Sequence, residues 1–255
     1  MWYDNIITCE RQAHLVFFGK EFDLSQFQGD LGKFGEETVT TWQKMLLEPH
    51  FLPMVEMKRK AKFPGWKVRP TDHHYEAVYQ GRVRRNFDNE FKVDKQAHLL
   101  FGGSVLIDTR LKPAYDNGKQ MYADDYLGPI LSKLRHDKKI PQYQYGEQGS
   151  RFGVSADEWE EHVKFALTKD KRFRSVKRWR LERSIEANII PQIYLHMPRK
   201  DNGFTNTWQW YEEYFGDDSY RVYGGYSACG GLANFYWSWS GDHWNDQSFC
   251  PLAVL

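Results

Sequence analysis

Cysteine is scarce in this sequence. The three thiols of the 255-residue chain, Cys9, Cys229 and Cys250, are too few and too scattered for a disulfide framework or a zinc cage. Their scarcity points to a reducing, cytoplasmic setting. Long apolar runs are missing too. Stretches such as Leu15-Val16-Phe17-Phe18 are far too short to span a bilayer, so no membrane association is expected. Met1-Trp2-Tyr3-Asp4-Asn5 has no basic run leading into an apolar one, and no signal peptide is read there. No single sign of charge dominates, the formal net being +1. Walker loops and G-x-G-x-x-G turns are absent, which argues against nucleotide-driven chemistry and leaves no cofactor to expect. RNP motifs, zinc fingers, GXXG loops and helix-turn-helix patterns are also lacking, which disfavours sequence-specific reading of DNA.

What the chain does have is aromatic side chains, 16% of all residues, and strongly segregated charge. Residues 1–57 carry four Lys/Arg against nine Asp/Glu, and 58–95 carry eleven against five. The middle, 96–168, is balanced at nine against ten. Residues 169–200 then hold ten against three, and 201–255 one against seven. Two cationic blocks therefore alternate with anionic ones. An internal echo is present as well: Glu10-Arg11-Gln12-Ala13-His14-Leu15-Val16-Phe17 resembles Asp94-Lys95-Gln96-Ala97-His98-Leu99-Leu100-Phe101. It is consistent with a duplicated strand-then-helix unit, about 1–84 and 85–200, followed by an aromatic-rich segment 201–255. Chance similarity over eight residues is the competing explanation.

Hydrophobic period and turn residues predict strands over 13–19, 54–60, 66–69, 75–86, 90–93 and 97–107. Helices are expected over 37–48, 128–136, 155–168 and 206–215, with short strands at 220–226, 233–239 and 249–254. Ser155-x-x-Glu158 forms a capping box ahead of an apolar helical face, and Pro129 suits a first helical turn. The expected fold class is α+β with mostly antiparallel sheet.

The cationic blocks carry the functional reading. Taken as a strand, 169–180 sets Arg172, Arg174, Arg178 and Arg180 on one face and Phe173 and Trp179 on the other. Lys177 lies in the same stretch. The other block supplies Lys58, Arg59, Lys60 and Lys62, then Trp66 and Lys67, then Arg82, Arg84 and Arg85. Guanidinium forks suit phosphates, and interleaved Trp66 and Trp179 could stack bases, each stack worth about 1–3 kcal/mol. A duplicated sheet-plus-helix unit bearing cations resembles the whirly and PUR-type nucleic-acid-binding folds in architecture, though it shares no motif with them. The bland alternative is that each run is a solvated face paired with the acidic segments.

Residues 201–255 hold fifteen aromatic residues, fit for a core, a protein interface or carbohydrate stacking. Trp244-Asn245-Asp246 followed by Cys250 resembles the end of C-type lectin domains, with the cysteine one residue late and no closing cysteine after it. Cys229-Gly230-Gly231-Leu232, with His243 and Asp246 downstream, resembles the nucleophile turn of cell-wall peptidases of the NlpC type, whose histidine lies much further along. A Cys–His enzyme would need both groups within hydrogen-bond reach. His73-His74, placed on a strand, would point to opposite faces, a poor chelating pair. His14 and His98, which recur in the echo, read as structural. Asp124-Asp125, Glu160-Glu161, Glu212-Glu213 and Asp217-Asp218 are adjacent rather than facing, so no carboxylate dyad is suggested. The leading expectation is non-enzymatic binding of single-stranded RNA or DNA. A structural or assembly protein acting through protein–protein contacts, possibly viral and homo-oligomeric, is the alternative, and a Cys-dependent hydrolase is third.

Overall fold

The computed structural model describes residues 1–87, 90–196, 206–226 and 231–255. Helices α1 (Asp4–Phe18), α2 (Ser25–Phe34) and α3 (Glu36–Lys44) lead into strand β1 (Leu47–Leu52). Helix α4 (Asp72–Tyr79) precedes β2 (Val83–Phe87), β3 (Glu90–Val93) and β4 (Gly103–Asp108). Helix α5 (Gly128–His136) is followed by α6 (Ala156–Glu158), a π-helical turn Trp159–Val163 and α7 (Lys164–Lys169). Then come β5 (Arg178–Leu181), α8 (Ser184–Ile193) and strands β6 (Trp208–Phe215), β7 (Tyr220–Gly224), β8 (Tyr236–Trp239), β9 (Gln247–Phe249) and β10 (Pro251–Val254). The fold is α+β. One sheet runs β1-β4-β10-β5, antiparallel throughout. The other runs β3-β2-β6-β7-β8, with β9 added parallel to β6.

The four-stranded sheet is covered on both faces, as its alternation requires. Leu106, Trp179, Leu181 and Ala253 pack with α2, α3, α5 and the π-helical turn. Val105, Ile107 and Leu252 pack with α1 and α8. Helix α8 is the centre of the molecule, and all ten of its residues are buried. Ile185, Ile189, Ile190 and Ile193 meet the four-stranded sheet, while Ala187 packs in the layer formed by Tyr211, Phe215 and Val222 of the other sheet. Residues 201–255 supply interior strands to both sheets, since β10 lies between β4 and β5 and β6 lies between β2 and β7. Among the described residues no helix is long and apolar enough to cross a membrane.

Several local expectations are corrected. Residues 13–19 belong to α1, because Ile7, Glu10, His14, Phe17 and Phe18 face inward at helical spacing while Leu15 and Val16 are exposed. The apolar run therefore does not mark a strand. The second copy of the echo, 94–101, is turn and coil, so the two copies do not share a conformation. No strand forms over 54–60 or 66–69 beyond a bridge from Glu56 to Leu99. The first part of 75–86 is α4, which carries His73 and His74 and ends before Gly81, a residue at φ +67°. The strand expected over 97–107 narrows to β4, and the helix over 37–48 stops at Lys44, where β1 follows. Residues 206–215 form β6 rather than a helix, in keeping with the strand preference of its aromatic residues. Helix α5 fills 128–136. The capping box at Ser155 is made, with its Oγ accepting from the Glu158 N–H and its own N–H donating to the Glu158 carboxylate at 2.9 Å.

Candidate functional site

Three short polar pairs, each dictated by local geometry, converge beside α1. Glu10 and His14 are one turn apart on its inner face. Glu48 and His50 share a face of β1, because alternate strand residues point the same way while Leu47 and Phe51 face the opposite layer. Tyr194 and His196 follow the end of α8. His50 donates from Nδ1 to Glu10 Oε2 at 2.8 Å. The other Glu10 oxygen accepts from the Phe51 N–H at 2.9 Å and from the Tyr194 hydroxyl at 2.5 Å. His14 donates from Nε2 to the Phe51 carbonyl at 2.9 Å and lies 3.2 Å from Glu10. The Nε2 atoms of His50 and His196 both meet Glu48 Oε2, at 3.3 and 2.8 Å.

Burial alone would raise the Glu10 carboxyl, but the adjacent His50 charge and the hydrogen bonds from His14 and His50 bring it down to about 2. Burial likewise disfavours the His50 cation, yet Glu10 and Glu48 together lift it to about 9. Glu48 is lowered to about 2, chiefly by its hydrogen bond from His50. The centre at neutral pH is thus two carboxylates around one fixed imidazolium. Glu10, His50, Tyr194 and His196 form the polar end of a cavity of about 450 Å³ whose remaining walls include Ala13 and Val16 of α1, Ile193 and Leu195, and Glu48 lies behind the two histidines. Cys9, an exposed thiol, lies on the same helical face as Ala13 and Val16.

The residues expected to hold nucleic acid are not gathered into one surface. Trp66 is buried, its indole N–H donating to Asn188 Oδ1 at 3.0 Å and its face covered by Arg69. Trp179 is buried against Phe173, with ring centroids 5.0 Å apart. Neither ring can stack a base. Arg180 is 1% exposed and forks onto Glu186 at 2.6 and 2.8 Å, so it cannot reach a phosphate. These are corrections, and all three follow from the need of a small layered fold to bury its largest side chains. The strand expected through 169–180 begins only at Arg178, with a 3₁₀ turn over Lys171–Phe173 before it.

The other cations remain at or near the surface. Lys58 pairs with Glu56 at 2.7 Å and Arg59 with Asp72. Lys60, Lys62 and Lys67 are exposed. Arg82 lies over the Phe215 ring at 4.2 Å and Arg84 over Phe91 at 5.5 Å, and Arg85 pairs with Asp94. Arg172 forks onto Asp170, Lys177 reaches the Leu255 carbonyl at 2.6 Å, and Arg174 and Arg178 are exposed. The 58–69 segment and the 171–174 turn lie against opposite faces of the four-stranded sheet, since Trp66 packs on its α8 face and Phe173 on the other.

No protein-family model, curated protein or solved structure matches this chain. Its chemistry is therefore read from its own side chains. Other buried polar networks are present, among them two that act as braces. Arg151 binds Asp108, Asp125 and the Phe249 carbonyl while Arg110 binds Asp108 and three backbone carbonyls, which uses every guanidinium nitrogen. Ser184, His74 and Glu213 meet near the start of α8, but Glu213 accepts from Ser184 at 3.0 Å instead of orienting the histidine. That is the wrong connectivity for a nucleophilic triad. Cys229 lies outside the described residues, and His243 is engaged by Glu158 at 2.8 Å.

Proposed function

We propose that the protein binds a small molecule in the cavity between α1, β1 and the end of α8, with Glu10, His50 and His196 as the wall that orients it and Glu48 bracing the two histidines. The observation that carries this reading is a buried, hydrogen-bonded Glu10–His50 pair, braced by the half-buried Glu48, at the wall of an otherwise largely apolar cavity. Ligand sites have this make-up: mostly apolar walls, a few fixed polar groups, and volumes of roughly 300–1,000 Å³. Apolar residues of similar volume would hold the fold at least as well as a buried ion pair, so the cluster is better explained by use than by stability. With two carboxylates against one imidazolium, the fitting ligand has an apolar body and an electron-accepting head, a hydrogen-bond donor or a cation.

Ligand-observed NMR with a fragment library tests the reading. Fragments of that type are expected to bind the wild-type protein and to lose binding in Ala13→Trp, which fills the cavity from the α1 side. Fragments that bind both proteins alike would reject the site.

A second reading, binding of single-stranded nucleic acid, is favoured by the exposure of Lys60, Lys62, Lys67 and Arg174. It reduces to a phosphate grip without base stacking. Freshly purified protein would then carry absorbance at 260 nm that a high-salt wash strips away; a clean protein spectrum at low salt counts against it.

A further inference from the structure

Resting on the reading of this cavity as the functional site, we propose that Glu48, His50 and His196 hold a divalent transition-metal ion of the zinc type. The metal would sit at the polar end of the cavity, with one coordination position open to water or to a donor atom of the ligand. The three side chains each offer one ligand atom, and these atoms all lie within 4.8 Å of one another. Both imidazoles already direct Nε2 at the same carboxylate oxygen, at 3.3 and 2.8 Å. Ligand atoms of a tetrahedral zinc ion, bound at about 2.0–2.1 Å, stand roughly 3.3 Å apart. The His50–Glu48 separation has that value. The His196 side chain, 59% exposed, has room to move the remaining distance.

The surrounding groups are those that a metal-bound histidine requires. Glu10 holds His50 Nδ1–H at 2.8 Å, which fixes the ring so that an arriving metal displaces the Nε2 proton to solvent and takes Nε2 as its ligand, the carboxylate–histidine–metal relation. Glu10 is itself pinned by the Phe51 N–H and Tyr194. Two imidazoles and one carboxylate make a set suited to zinc and its neighbours rather than to calcium or magnesium. Because His50 and His196 line the cavity, a three-ligand ion there would keep its open position toward the bound molecule, as catalytic rather than structural zinc sites do.

The test uses the full chain after removal of metal with a chelator and dialysis. Co²⁺, titrated as an optical probe, is expected to bind at one equivalent with the intense visible bands of four- or five-coordination, and Zn²⁺ is expected to abolish them. His196→Ala, on an exposed side chain, should keep the fold and weaken Co²⁺ by more than the roughly 10–100-fold that loss of an outer-shell partner costs. Glu48→Gln should do the same. Absence of the visible bands, or equal affinity in wild type and both variants, would overturn the metal site. If fragments still depend on Ala13 when Co²⁺ fails to bind, the cavity stands and only the metal falls. If Co²⁺ binds through Glu48 and His196 while fragments ignore the cavity, the reverse holds.

Discussion

At the scale of single residues, the chain spends several kcal/mol keeping charge inside. Glu10 is the clearest case, since one carboxylate satisfies the His50 cation, the Phe51 N–H and the Tyr194 hydroxyl. Glu10→Ala is expected to cost about 3–5 kcal/mol in urea unfolding, because it strands a buried charge rather than a contact. Glu213 shows the opposite sign. Burial raises its carboxyl from 4.5 to about 7 against the pull of Arg183, Arg85 and the Ser184 N–H, with Asp94 adding to the rise. The folded state therefore holds its proton more tightly than the unfolded one. Its contribution is complete below pH 4.5 and falls away as pH rises toward 7. Glu213→Gln should gain on the wild type by about 3 kcal/mol across that window, measured as the difference between their unfolding free energies at each pH; a constant difference would contradict the assignment. Of the groups in the candidate site, the sequence marked only His14, and marked it as structural. Glu10 and Tyr194 are 184 residues apart, so nothing local announces that they meet.

At the scale of elements, the legible pieces are those whose signal is local. The box at Ser155 and the helix over 128–136 depend on residues within one or two turns. The misread pieces are those whose burial is set by distant partners. The run Leu15-Val16-Phe17-Phe18 imitates a buried strand until α8 and the 61–66 loop cover one side of a helix. Helix α8 carries little periodic signal in the sequence, since a helix buried all round shows little contrast between its faces. Glu48-x-His50 is hard to read locally, because the helical pattern over 37–48 runs into the first two residues of β1 and nothing in the sequence marks the strand that follows. The Pro64-Gly65 turn has a use beyond turning: a Cβ at Gly65 would lie 2.5 Å from the Phe17 Cα, and the Gly65 N–H donates to the Phe17 carbonyl at 2.9 Å. Gly65→Ala is expected to lower stability by about 1–3 kcal/mol through this overpacking, read as an earlier urea midpoint. An unchanged midpoint would mean that the loop shifts off α1 without cost.

At the scale of the whole molecule, two sheets share one buried helix, and the segregated charge of the sequence is distributed over different sides of the fold. The α+β class with mainly antiparallel sheet was readable from composition and turn spacing. Which cations would share a surface was not, because that depends on the order of strands. Since the 58–69 segment and the 171–174 turn lie against opposite faces of the four-stranded sheet, any grip of these cations on single-stranded nucleic acid should be divided between independent patches. Removing Lys60 and Lys62 together should reduce the salt slope of RNA binding by about 1.4, and adding Arg174→Ala should subtract the same increment it does alone. Strong non-additivity would place the blocks on one path. The cavity beside α1 is the feature that does not depend on such an arrangement. A crystal structure of the protein with a fragment selected for binding tests it most directly: the account predicts density against Ala13, Val16, His50 and His196, whereas a fragment seated on the 58–69 surface or on the aromatic strands of the second sheet would contradict it.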